Sequence, residues 1–205
     1  MTLVGITLQQ FKRLQERVGG GTRRAVSPVF ESVDRKLNSH TIILGVDPSL
    51  RGTGFGVIRL GKPHPLALAH GTISCPGTWP HSRCLVKIAQ TLRDVLREHR
   101  PTVCVVEGLF FAQNLQTAIL MGEARGAAMV AAAEAGLEIY EIATRKVKQA
   151  IVGYGAAQKF AVARMVQRLL NLSQPPEPDA ADALALALAH AQANGRYALT
   201  FPKRI

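Results

Sequence analysis

Aromatic residues are scarce in this chain, at 5%, so a surface built from many stacked rings is not supported. Cysteines number three, Cys75, Cys84 and Cys104, an odd count without a CxxC pair. That argues against a disulfide framework or a cysteine zinc cluster and fits a reducing, cytoplasmic setting. No uncharged apolar run reaches the ~20 residues that cross a bilayer. The basic N-terminus lacks the apolar core and cleavage site of a secretory signal. A membrane is therefore not an expected partner. Acids are few: 14 Asp and Glu stand against 25 Lys and Arg, a formal charge of +11 over 205 residues. The default partner of such a chain is a polyanion, nucleic acid before an anionic membrane surface.

What is present is a globular body with an appended segment. Apolar residues make up 47%, enough for a packed core. Residues 1–40 carry seven basic groups and three acids and read as a basic, flexible extension. Within it Phe11, Leu14 and Val18 keep helical spacing before a run of three glycines. The body spans 41–194, and 195–205 is read as a tail. Its order is β-β-β-α-β-α-β-α-α-α. Strands are expected at 42–47, 55–60, 66–74, 101–107 and 137–142, and helices at 81–99, 114–135, 144–152, 157–170 and 179–194. Short connections make the first three strands an antiparallel meander. The segment 48–54 (PSLRGTG) reads as a turn.

Two acids close apolar strands. Asp47 follows IILGV and Glu107 follows VCVV. Strand C-terminal edges are where α/β sheets place their sites, although a solvated acid at the start of a loop is equally ordinary. If these strands are parallel neighbours, their terminal carboxylates lie close together. Asp179 and Asp182 open the last helix at i, i+3 spacing, which puts both on one face. Taken alone, Asp179 reads as an N-cap and Asp182 as a first-turn acid favoured by the helix dipole. Taken together, the four acids repel one another and invite a cation. Mg²⁺ takes carboxylate oxygens and keeps several waters, and a pair of such ions can activate water for phosphodiester hydrolysis. A basic surface around an acidic pocket is what a metal-dependent nuclease needs.

Other features are less specific. DPSLRGTGFGVI resembles the Asp-Gly hairpin of sugar kinases and actin-like ATPases, but a second hairpin and a longer chain are missing. A non-catalytic DNA-binding protein is the alternative outside the enzymes. The four acids speak against it, since binding alone favours removing negative charge near DNA. His190 lies about 12 Å along the helix from Asp182 and reads as a core or surface histidine. The Ala-rich face of 124–133 is either a dimer interface or a plain core helix.

The segments ILGVDPSLRGTGFGVI (43–58), VVEGLFFAQN (105–114), GEARGAAMVAAA (122–133), TRKVKQAIVGYGAAQK (144–159) and DAADALALALAH (179–190) resemble the successive motifs of the RuvC family of bacterial Holliday-junction resolvases. The resemblance runs from about 41 to 194. It implies an α/β, ribonuclease-H-like fold with a five-stranded mixed sheet flanked by helices. It also implies a homodimer that nicks four-way DNA junctions in pairs and works with the RuvA–RuvB branch-migration complex. On this reading Asp47, Glu107, Asp179 and Asp182 are the catalytic, metal-binding acids. They would hold Mg²⁺, two ions per site, with Mn²⁺ as a substitute. Phe110 corresponds to an aromatic that stacks on unpaired bases, and Arg145, Lys148 and Lys159 to DNA-binding cations. Arg125 lies in a matching segment, where a structural salt bridge is as good a reading as a functional one. Residues 1–40 have no counterpart in the family pattern.

Overall fold

The computed structural model describes residue 9 and residues 40–108, 115–193 and 202–205. The chain divides into two units, Met1–Leu37 and Asn38–Ile205. The second unit runs β1 (Ile42–Asp47), β2 (Gly52–Arg59), β3 (Leu66–Ser74), α1 (His81–His99), β4 (Val103–Gly108), α2 (Leu115–Glu134), β5 (Glu138–Ala143), α3 (Thr144–Val152), α4 (Lys159–Leu169), α5 (Pro178–Ala193) and β6 (Lys203–Arg204).

The strands form one mixed sheet in the order β3-β2-β1-β4-β5-β6. β1 pairs antiparallel with β2, and β2 with β3, so the expected meander is present. β1 pairs parallel with β4, and β4 with β5. β1 is therefore central, which suits its unbroken apolar run. The sheet has one strand more than expected. Lys203–Arg204, in the segment read as a tail, pairs with Glu141 and Tyr140 and covers the outer edge of β5.

Side chains alternate across the pleat. Ile43, Ile58, Val103, Val105 and Ile142 face a core shared with α3, α4 and α5. Leu44, Val46, Val57, Cys104 and Val106 face the core under α1 and α2. The helices thus sandwich the sheet. In the sequence IILGVD, Asp47 belongs to the first of these faces, with Ile43 and Gly45 before it. In VCVVE, Glu107 follows Val103 and Val105 onto the same face. Parallel pairing of Val46 with Val106 sets the two acids side by side.

α5 lies on that face. Its Ala and Leu residues are buried nearly all round, from Ala180 to Ala189, as expected for a helix enclosed by other elements. It can lie this close because glycines leave the sheet without side chains where the helix crosses it. A Cβ on Gly45 would come 2.0 Å from the Ala183 carbonyl oxygen, and one on Gly54 would come 2.0 Å from that of Asp179. This corrects the sequence expectation for 48–54. β2 begins at Gly52 rather than 55, and the glycines there admit a helix instead of making a turn. The loop is shortened to 48–51, where the buried Thr53 hydroxyl donates to the Ser49 carbonyl at 2.6 Å.

Candidate active site

Asp47 and Glu107 meet as a hydrogen-bonded carboxyl pair at the ends of β1 and β4. Burial, then the charge and hydrogen bond of Glu107, then the charge of Asp182, push Asp47 up to about 8, with Lys159 opposing. Glu107 is fixed from two sides. The Thr144 hydroxyl, at the head of α3, donates to Glu107 Oε1 at 2.6 Å. Arg125 on α2 donates to the Glu107 carbonyl oxygen at 2.5 Å and pairs with Glu141 Oε2 at 2.5 Å. Of the two readings of Arg125, the structure bears out the salt bridge, and the same side chain also holds the end of β4.

α5 brings the other two acids across from this pair. Pro178 takes the first helical position, a place suited to proline because no N–H is needed there. Asp179 therefore lies inside the first turn and is not the N-cap. A Cβ on Gly52 would come 2.8 Å from Asp179 Oδ2, so Asp179 reaches down to the start of β2. Asp182 Oδ2 pairs with Lys159 Nζ at 3.1 Å. Burial works against the Lys159 ammonium. The hydrogen bond to Asp182 and the charges of Asp182, Asp47 and Asp179 outweigh it, and its pKa is raised.

Lys159, expected as a DNA contact, thus stands among the acids. Arg145 and Lys148 lie on α3, Arg145 exposed and Lys148 half-buried. Phe110 lies outside the described residues. His190, buried in α5, shares a hydrogen bond of 2.9 Å with His40 and packs against Tyr140, remote from the acids. Thr144 was missed by the sequence reading. The parallel register of Gly108 with Ala143 sets the residue after β5 beside the end of β4, and the sequence alone does not carry that register.

Among the described residues, no three His, Cys, Asp or Glu side chains are grouped to hold a metal ion. The acids come as a pair and two neighbours, with an ammonium beside them, rather than as one cluster of four. The donor set still fits a hard divalent cation. All its atoms are carboxylate oxygens, and Mg²⁺ needs only one or two of them beside its waters and substrate phosphates. Burial and its neighbours' charges raise the Asp47 pKa, and a cation among the acids would oppose that rise.

A mixed sheet of this order, with acids closing two parallel neighbours and two more opening the helix laid across them, defines a ribonuclease-H-like nuclease. The family model for crossover junction endodeoxyribonuclease RuvC matches residues 43–190. The chain belongs to the RuvC family. Crossover junction endodeoxyribonuclease RuvC of Protochlamydia amoebophila is 46% identical over 157 residues, covering 76% of this chain and 94% of the relative. That of Pseudomonas entomophila is 46% identical over 151 residues, covering 74% and 86%. The solved structure of T. thermophilus RuvC in complex with Holliday junction substrate superposes with a TM-score of 0.74 at 34% identity, covering 81% of this chain and all of that one. No helix among the described residues is long and apolar enough to cross a membrane.

Proposed function

We propose that this chain is a metal-dependent endonuclease that resolves four-way DNA junctions by paired symmetric nicks, in recombination and repair. The observation that carries the reading is the Asp47–Glu107 pair at the ends of β1 and β4, faced by Asp179 and Asp182 across a glycine-lined sheet. Mg²⁺ is the cation proposed, two ions per site, with Mn²⁺ able to replace it. Held by the carboxylates, it would supply an activated water and charge neutralisation. Asp47 and Glu107 would hold it on the sheet side, and Asp179 and Asp182 on the helix side. Thr144 and Arg125 keep Glu107 in place, since one bonds its carboxylate and the other its backbone.

The remaining parts of the reading rest on the family. The chain acts as a homodimer, which supplies two sites for two nicks. The RuvA–RuvB complex is its partner at the junction, and the cytoplasm its compartment. Phe110 stacks on unpaired bases, and Arg145 and Lys148 hold phosphates. Residues 1–40 are an extension to a nuclease domain of 41–194, with 195–205 beyond it. The test is a labelled four-way junction incubated with Mg²⁺ beside a linear duplex of the same sequence. Symmetric nicks in the junction alone are expected. Equal cutting of both, or nucleotide turnover without cutting, would reject the reading.

A further inference from the structure

From Ile142 to Pro176 the sequence holds no Asp or Glu, while Arg145, Lys146, Lys148, Lys159, Arg164 and Arg168 fall within it. This stretch is α3, its following loop and α4. It also carries Tyr154 and Phe160, 66% and 68% exposed, the two aromatics among the exposed large apolar side chains of the described residues. In a chain so poor in aromatic residues, this coincidence calls for a physical reason. The fold supplies none, because neither ring covers the core.

Both rings lie on the stretch whose two helices begin at the acid site. α3 begins with Thr144 bonded to Glu107, and α4 begins with Lys159 paired to Asp182. Tyr154 sits in the loop between them. That loop is fixed at several points. Gly153 turns it with φ +83°, and the Ala157 N–H donates to the Tyr154 carbonyl at 3.2 Å. Gly155 lies against Arg145, where a Cβ would come 2.7 Å from Cγ. Phe160 follows Lys159 directly, with the Arg164 guanidinium 5.4 Å from its ring centre.

Two exposed rings could meet another protein surface, but a second copy of this face would bring six more cations and no acid. A polyanion suits it better. Duplex DNA offers phosphates to the cations yet hides its base faces in the stack. Only a strand with unpaired bases offers both phosphates and ring faces. We infer that Tyr154 and Phe160 stack on unpaired bases of the strand that enters the acid site, while Arg164 and its neighbours hold that strand's phosphates. This rests on the junction reading proposed for the acid site and adds two contacts to it.

The experiment uses the full chain without divalent metal, so that binding is read without cutting. Y154A, F160A and the double variant are compared with Y154F, F160Y and R164Q. Each is titrated against a four-way junction and a linear duplex, with 2-aminopurine beside the branch point. Each alanine variant is expected to bind the junction about tenfold more weakly, with duplex affinity, melting temperature and salt dependence unchanged. Y154F and F160Y should hold wild-type affinity. The wild-type protein should quench 2-aminopurine more than the double variant does. R164Q should instead lower the slope of log affinity against log salt by about one. A double alanine variant with wild-type junction affinity overturns the inference, as does equal loss on junction and duplex. So does weaker binding that sedimentation traces to a broken oligomer. A wild-type protein with no preference for the junction would reject the underlying function as well.

Discussion

Glu107→Gln preserves the shape of one residue and removes one charge from the pair it forms with Asp47. Junction cleavage should fall about a thousandfold or more, since a mispositioned metal loses several kcal/mol of transition-state stabilisation. Junction binding should persist or tighten, because an acid near DNA has been neutralised. Single-turnover cleavage beside a gel shift checks both, and a near wild-type rate would remove Glu107 from the chemistry. A second prediction concerns His190. Burial, then the neighbouring His40, lowers its pKa from 6.5 to about 4. Between those values the unfolded chain takes up the proton and the folded chain does not. The stability from a neutral His190 is thus complete above about pH 6.5 and is lost as pH falls toward 4. The loss is on the order of 1–3 kcal/mol. Melting curves of the wild type and His190→Gln should diverge in slope across this window, and parallel curves would show that His190 does not titrate there. At this scale the sequence was informative about acids and silent about their supports. Asp47 and Glu107 announced themselves by ending apolar runs. Thr144 did not, because a hydroxyl acquires its role only from the strand beside it, and Arg125 was legible only as a salt-bridge partner, not as a support of Glu107.

The elements show why α5 can carry Asp179 and Asp182 to the sheet. A helix normally rides about 10 Å above a neighbour because side chains fill the gap. Here Gly45 and Gly54 leave no side chain where α5 crosses. Gly54→Ala would press a methyl group against the Asp179 backbone, which has no rotamer to yield. It should destabilise the fold by about 1–3 kcal/mol and abolish cleavage by displacing the acids. Gly126→Ala is the control. A Cβ there meets nothing within 4 Å, and Ala in a helix is favoured by up to about 1 kcal/mol. Thermal melts of both variants, with cleavage rates, check the contrast. Equal behaviour would mean that α5 has room to shift. The glycines also explain the largest shift of a boundary, the start of β2. Gly52 and Gly54 look like turn residues in sequence, since a glycine that admits a helix and one that bends a chain are spelled alike. The long apolar and amphipathic segments carried their own period and were legible. β6, two residues long, has no period to read, and its pairing with β5 depends on a partner distant in sequence.

For the molecule as a whole, charge is the property that extends beyond the site. Residues 1–38 hold seven basic groups and three acids, and none of the strands β1–β6 lies among them. Their deletion should leave the melting temperature and Mg²⁺-dependent cleavage near wild type, with a shallower dependence of junction affinity on salt. An insoluble or unfolded product would show that Phe11, Leu14 or Val18 completes the core. The other end of the chain is tied down: Arg204 pairs with Glu138 at 2.8 Å, Ile205 N–H donates to the Ile139 carbonyl at 3.0 Å, and His40 lies 3.7 Å from the same Glu138. These contacts gather at the beginning of β5, whereas the acids stand where β1 and β4 finish, about 15–20 Å away along the strands. A surface linker or fluorescent label joined ahead of His40 or after Ile205 would therefore leave the molecule from its rear. Tethered directly at His40 or at Ile205 to a glass slide or a bead, the nuclease body would still present its cutting edge outward, which makes single-molecule observation of resolution practical.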